Sequence, residues 1–400
     1  MGRKLDKLAK LYRQKIGEKP QFDTKLNRRQ LRRLLGKHPQ KDLVFKLITK
    51  GFDLGVEKDF DRSSLSKEVH NFINTKEELI IMIDTLTKEL GKGYIHPGRG
   101  LYQLNLLCVP KKDSETGLLT KIRVARHASF AGSDGGVALN DAIPKEETKM
   151  DGEEALPSFI MYIVLFLRCW YISLRDLKDA FRQLLLDEAD VGTIQYSLFG
   201  LTFVDLRQVY GVASAANRCQ QFSQTLRWIM AHNATKWTKE NAVVILSLIL
   251  AYIDDYTIGG RDRPECRALT DCFEALIAQK IDVGISLLKS LDCIQVGVTN
   301  GIGFRLNAEP KTVFVPILKA FDITMGILGV LLCHWIFGDA WECLIGRILF
   351  WAKFDPRAKV WCNYALKDIQ LHLRSLSTSQ KERTVMHVEF RTPATEASGV

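Results

Sequence analysis

The first fifty residues interleave cationic and apolar positions at helical spacing. Leu5, Leu8 and Leu11 recur within residues 1 to 17, and Leu31, Leu34 and Leu35 within residues 24 to 36, predicting two amphipathic helices separated by Gly17 to Thr24. Lys76 to Leu90 predicts a further helix, ended by Gly91-Lys92-Gly93. From there the texture changes to turns and strands. His96-Pro97-Gly98-Arg99-Gly100 is followed by apolar Leu101 to Val109, a charged turn at Lys111 to Gly117, a strand at Lys121 to Ala128 and a loop at Gly132 to Gly136. Strands then alternate with helices to about Pro316, a largely helical stretch runs from Ile317 to Leu373, and residues 375 to 400 are polar without period, predicting a disordered tail.

Charge sharpens this division. Residues 1 to 50 hold 16 Lys+Arg against 4 Asp+Glu, whereas the whole chain carries +10, so the basicity belongs to the N-terminus and the remainder is slightly acidic. Such an arm attracts a polyanion, either nucleic acid or an acidic membrane surface; the alternative is a solvated, partly disordered arm. With 46% hydrophobic residues in 400, the chain can build two or three packed subdomains. The nine cysteines form no C-x-x-C pair, and several lie in apolar runs, as expected of free, mostly buried thiols in a reducing compartment. The polar, cationic start has no secretory signal, so an intracellular location, cytoplasmic or nuclear, is expected. Phe159 to Leu167, Val243 to Ile253 and Ile323 to Phe337 are apolar, but each falls short of the roughly 18 to 20 residues of a membrane span and reads as core.

The candidate chemistry is acidic. Trp170 to Asp176 has the β-branched and aromatic content of a strand and ends in Asp176-Leu177-Lys178-Asp179-Ala180-Phe181. Further on, the apolar run Val243 to Tyr252 delivers Tyr252-Ile253-Asp254-Asp255-Tyr256, and Thr257 to Gly260 reads as the return strand of a hairpin with the aspartate pair at its turn. An aspartate at the end of a buried strand is costly without a neutralising cation, and two adjacent carboxylates repel. Three such side chains on two strand ends suit Mg²⁺, which prefers hard oxygen ligands. Two ions held there can serve an in-line phosphoryl displacement.

These segments resemble motifs A and C of reverse transcriptases, whose hallmark Tyr-x-Asp-Asp is matched by Tyr252 to Asp255. The similarity extends in order over about Gly93 to Leu366. Tyr94-Ile95-His96-Pro97 through Val109-Pro110-Lys111-Lys112-Asp113, and Leu139-Asn140-Asp141, are similar to the fingers segment of retroelement enzymes; Val209 to Ala216 is similar to motif B; Gly284-Ile285 and Lys289-Ser290 to motif D; and Gly303-Phe304-Arg305-Leu306 to the primer-gripping hairpin. Leu344-Ile345-Gly346-Arg347 to Ala352 resembles the thumb of retrotransposons that use a tyrosine recombinase. Val209 and Ala216 stand where motif B commonly has proline, and His127 where an aspartate is common, departures that bear on nucleotide affinity and fidelity.

The resemblance implies an α+β right hand: a basic helical region over residues 1 to 90, fingers with part of the palm over 91 to 150, a palm with an antiparallel sheet over 151 to 316, a helical thumb over 317 to 374, and the tail. It implies an RNA-directed DNA polymerase acting on an RNA or DNA template with a primer and deoxynucleoside triphosphates, with no membrane partner. Asp176, Asp254 and Asp255 would hold two Mg²⁺ ions, with Mn²⁺ as a substitute, and Lys289 would protonate the leaving pyrophosphate. Lys111 and Arg123 would grip the triphosphate, Phe181 would exclude a 2′-hydroxyl, and Tyr210 and Gly211 would hold template and nucleotide. An RNA-dependent RNA polymerase, or a domesticated, non-catalytic nucleic-acid-binding protein, are the alternatives. No histidine pattern suits a metal, and His334 reads as packing in an apolar helix.

Overall fold

The cationic start of the chain is folded, and its leucines explain why. Helix α1 (Gly2–Lys15) turns Leu8 into a cluster formed by Met82, Ile83, Leu86 and Leu90 of α4 (Lys76–Gly91), together with Tyr94, Ile95, Leu106, Val124, Tyr196 and Phe203. Helix α2 (Arg28–Leu35) buries Leu31, Leu34 and Leu35, and its first turn is capped by Asn27, whose side chain accepts from the Gln30 N–H. A helix α3 (Lys41–Lys50) follows, beyond the two predicted in this region. A partly disordered arm is therefore excluded for these helices, because their apolar stripes are spent on the core.

The computed structural model describes residues 1–57, 59–68, 70–112, 119–148, 171–295, 299–301, 304–307, 312–314, 317–333, 335–352, 381 and 385–387. The chain divides into two compact units, Met1–Lys112 with Leu119–Phe314, and Asp113–Leu118 with Val315–Val400. The first is α+β. Strands β1 (Ile95–Pro97), β2 (Tyr102–Gln103), β6 (Ile194–Leu198) and β7 (Leu201–Asp205) form a sheet in the order β1-β7-β6-β2, in which only the β2–β6 pair is parallel. Strands β3 (Asn105–Lys112) and β4 (Leu119–His127) make a separate antiparallel ribbon. A second sheet, antiparallel throughout, is ordered β10-β5-β9-β8, from β5 (Tyr171–Asp176), β8 (Ile249–Tyr252), β9 (Asp255–Gly260) and β10 (Leu291–Gln295). Helices α5 (Ala213–Asn233) and α7 (Arg263–Phe273) pack on it, and a ladder of β11 (Thr299–Gly301), β12 (Phe304–Asn307) and β13 (Thr312–Phe314) follows.

In the second unit, α8 (Ile317–Cys333) and α9 (Gly338–Ala352) pack around Val330, Trp341, Leu344 and Ile345. Two expectations are corrected here. The stretch from Ile317 is interrupted by β14 (Trp335–Phe337), and Val385–His387, expected to be disordered tail, pairs with it as strand β15. The rest of the predicted helix to Leu373, the run Phe159 to Leu167, His334 and Gly303 lie outside the described residues. The run Val243 to Tyr252 is also not one strand. Asn241 caps a short helix α6 (Ala242–Leu248) through the Val244 N–H, and helical spacing turns Ile245 and Leu248 inward while Val243 faces solvent. Leu101 to Val109 is likewise broken, at Leu104, between β2 and β3.

Buried charge ties these pieces together. Arg126 of β4 and Arg182, on the turn after β5, converge on Glu89 of α4 and Asp205 of β7. Arg126 reaches Glu89 at 2.7 Å and the Tyr196 hydroxyl at 3.0 Å, and Arg182 reaches Asp205 at 2.6 Å. Burial alone would raise the Glu89 carboxyl, but the guanidiniums of Arg126 and Arg182 outweigh it and hold it below its ordinary value of 4.5. Among the described residues the cysteines are free; Cys108, Cys219, Cys266, Cys272 and Cys293 are buried, whereas Cys333 and Cys343 are exposed. No helix of the described residues is long and apolar enough to cross a membrane.

Removing one partner from such a network strands a buried charge. Glu89→Gln should cost about 3–5 kcal/mol at neutral pH, measured by urea unfolding. Since the folded carboxyl sits below its ordinary value, its contribution is present above pH 4.5 and is lost as the pH falls through the folded value, so the deficit of the variant should shrink in acid.

Candidate active site

Antiparallel register brings the predicted carboxylates together. Asp176, the last residue of β5, is the ladder partner of Asp255, the first residue of β9. Tyr252 pairs with Asp255 across the β8–β9 hairpin, leaving Ile253 and Asp254 as a two-residue turn. The Leu177 N–H donates to the Asp254 carbonyl at 2.8 Å, stitching the turn to the chain leaving β5. Asp176 is buried, Asp254 half-buried, and Asp255 keeps solvent access at the head of its strand.

The turn is strained and clamped. Ile253 has φ 55°, a left-handed conformation that a β-branched residue adopts at a cost of order 1–3 kcal/mol. Helix α5 supplies the restraint: the Ile253 N–H donates to the Gln220 Oε1 at 2.6 Å, the Ser223 hydroxyl donates to the Ile253 carbonyl, and the Gln220 amide donates to the Ala251 carbonyl at 3.1 Å. Tyr256 Oη donates to the Ser223 carbonyl at 3.0 Å from the far side of the hairpin. Motif spacing passes over Gln220 and Ser223, and the sequence carries no signal for them, since they are two among several polar residues on this helix, Asn217, Gln221, Gln224 and Thr225 included.

Cations surround the carboxylates. Lys289 Nζ is paired with Asp176 Oδ2. It is carried on a loop in which Ser286 N–H donates to the Asp176 carbonyl at 2.8 Å and Lys178 N–H to the Gly284 carbonyl at 2.9 Å, while Leu287 and Leu288 stand in solvent. Burial, and next the charge of Asp176, raise the Asp254 carboxyl above its ordinary value; Lys289 and Arg123 oppose them. The Asp255 carboxyl is pushed up to about 7 by the protein crowded around it, then by Asp254 and Asp176, against Lys289 and Lys111. Its solvent access screens part of this repulsion.

Beside the carboxylates lies a small aromatic wall. The Phe181 and Tyr210 rings are 4.4 Å apart, and the Arg123 guanidinium sits 5.7 Å from the Tyr210 ring centre. Burial, and then Asp254, push the Tyr210 hydroxyl up to about 12. Gly211 has φ 107°, and a Cβ there would fall 1.8 Å from the Arg126 carbonyl, so no other residue fits. The Arg126 N–H in turn donates to the Tyr210 carbonyl at 3.0 Å, so the buried ionic network positions this wall. Asn140, in the Leu139-Asn140-Asp141 segment, donates to the Gly211 carbonyl at 2.9 Å and accepts from the Ala213 N–H at 2.8 Å, fixing the start of α5. Thus Asp176, Asp254, Asp255, Lys289, Arg123, Phe181, Tyr210 and Gly211 meet in one place, with exposed Lys111 on β3 acting on Asp255 through its charge.

The donor set is three carboxylates, of which Asp254 and Asp255 are raised by burial and by their acidic neighbours, the chemistry a hard divalent cation relieves. Among the described residues no three acidic, histidine or cysteine side chains are already drawn into a metal cage, and Lys289 holds the Asp176 oxygen.

The fold is reverse-transcriptase-like. A structure of the foamy viral protease-reverse transcriptase in complex with double-stranded DNA is 13% identical with a TM-score of 0.50, covering 86% of this chain and 52% of that one. A second foamy viral structure with double-stranded DNA is 14% identical with a TM-score of 0.47 over 97% and 73% of the two chains, and one with an RNA/DNA hybrid is 13% identical with a TM-score of 0.46 over 90% and 43%. The chain thus spans about half the length of the first of these proteins. No family model matches the chain, and no curated protein matches it.

Loss of the clamp should be measurable without any activity. Gln220→Ala leaves the Ile253 N–H unanswered and should lower stability by about 1–3 kcal/mol in urea unfolding; an unchanged midpoint would mean the turn holds its strained shape unaided.

Proposed function

We propose that this chain is an RNA-directed DNA polymerase that extends a primer with deoxynucleotides. The observation that carries the reading is the meeting of Asp176 with Asp254 and Asp255 across one antiparallel ladder, ringed by Lys289, Arg123 and Lys111. The reverse-transcriptase-like fold supports it. In this reading the β10-β5-β9-β8 sheet is the palm, the β3–β4 ribbon belongs to the fingers, and the helical second unit is the thumb of a right hand.

Asp176, Asp254 and Asp255 would hold Mg²⁺ or Mn²⁺, which supplies charge stabilisation and a more nucleophilic primer 3′-hydroxyl when bound. The protein's own groups do the rest. Arg123 and Lys111 neutralise triphosphate oxygens, and Lys289, poised beside Asp176, gives a proton to the departing pyrophosphate. Phe181, backed by Tyr210, presents a ring to the sugar and leaves no room or partner for a 2′-hydroxyl. Template and primer would be double-stranded nucleic acid held through phosphates, so binding should weaken steeply with salt.

A primed RNA template, Mg²⁺ and deoxynucleotides test the reading directly. Wild type should extend the primer, and Asp254→Asn should lower extension by at least ~10²-fold. Extension unchanged in Asp254→Asn would move the catalytic centre elsewhere, and template binding with no incorporation in wild type would leave a non-catalytic binding protein. Phe181→Ala should admit ribonucleotides in the same assay; unchanged sugar discrimination would remove Phe181 from the gate.

A further inference from the structure

Toward the C-terminal end of α5, beyond the residues that clamp the carboxylate turn, a second surface combines fixed rings with unanswered positive charge. The Trp228 and His232 rings are stacked, with centres 3.9 Å apart and planes 15° from parallel, and His38 meets Trp228 edge-on at 4.7 Å. His232 is exposed. Asn233 ties this end of α5 to α2 by donating to the Leu34 carbonyl at 3.0 Å. Across the junction, α2 turns Arg28, Arg29, Arg32 and Arg33 to solvent, and exposed Lys37 and Lys236 flank His38 and His232 in sequence.

Four arginines at i, i+3 and i+4 spacing repel one another along a helix. Arg28 is answered by Asp23, and Arg32 by Asp42 at 3.8 Å. Among the described residues no acidic side chain pairs with Arg29 or Arg33. The charge is therefore left for an outside anion. A membrane fits poorly, because every leucine of α2 is buried and the face offers nothing to insert. The exposed His232 ring seated on Trp228, together with the solvent-side cations of the neighbouring α2, matches a single-stranded nucleic acid, whose bases stack on rings while its phosphates pair with the cations.

We propose that the α2–α5 junction is a second nucleic-acid-binding surface, taking a single strand through Arg29, Arg33 and the Trp228–His232 stack. Trp228 and His232 lie five and nine residues beyond Ser223, which holds the Ile253 turn, so at about 1.5 Å per residue this surface begins roughly 8 to 14 Å along the helix from that clamp. It does not depend on the polymerase reading, since it calls for no chemistry.

The test is fluorescence anisotropy of the full chain with a labelled single-stranded oligonucleotide of about 16 nucleotides, across a salt series without Mg²⁺. Arg29→Ala with Arg33→Ala, both on the solvent side of α2, should reduce the slope of log affinity against log salt by about 1.4, or about 0.7 for each phosphate no longer neutralised. At fixed salt His232→Ala should weaken binding roughly tenfold and His232→Tyr should restore it, because stacking needs a ring and no particular one. Slope and affinity unchanged in these variants overturn the proposal, as does tighter wild-type binding to phosphatidylserine vesicles than to the oligonucleotide. Primer extension is read separately, so a chain that binds here without incorporating nucleotides refutes the polymerase and leaves this surface standing.

Discussion

Three carboxylates cannot be gathered at one point unless something holds them against their own repulsion. In this protein the holding is done mostly by backbone. Asp176 and Asp255 are locked opposite each other by the β5–β9 ladder, and Asp254 is fixed between them by a turn in which Ile253 takes a conformation it resists. The side chains of Gln220 and Ser223 saturate both the N–H and the carbonyl of Ile253, so the turn cannot relax without losing buried hydrogen bonds. Strain of this kind persists only where surroundings over-determine it, and here one helix face does so.

A second constraint is placed a layer deeper. Arg126 and Arg182 bring two positive charges into the core, where Glu89 and Asp205 answer them. Burying ion pairs contributes little net stability, so the gain is better sought in positioning. Arg126 is held by its side chain in the network and by its main chain to Tyr210, and its carbonyl faces Gly211 so closely that the turn admits no side chain. The same residue thus couples α4, β4, β6 and β7 to the wall formed by Phe181 and Tyr210.

The local patterns that were legible in the sequence are those with a short period or a fixed spacing. The leucines of α1 and α2, the strand ending at Asp176 and the hairpin around Asp254 and Asp255 follow from neighbours in the chain. Those that were hidden depend on partners far away. Nothing near Glu89 announces that it meets Arg126 and Arg182, and Gln220 is one amide among several until Ile253 lies beside it. The helix Ala242–Leu248 was disguised by its own β-branched residues, since Val243, Val244 and Ile245 favour a strand until Asn241 caps them. The strand Val385–His387 is invisible in a polar tail because its partner, Trp335–Phe337, lies some fifty residues upstream.

The segment bearing Lys289 illustrates how a salt bridge can be made easy to break. Leu287 and Leu288 bury nothing, so the hydrophobic effect does not resist displacement of the ammonium from Asp176. What fastens the segment is a few hydrogen bonds around Ser286, one of them from the Ser290 hydroxyl, and the β10 strand that begins at Leu291. The arrangement is a counter-ion tethered at both ends of a short span: the ammonium rests on Asp176 while its exposed leucines add nothing that would hold it there.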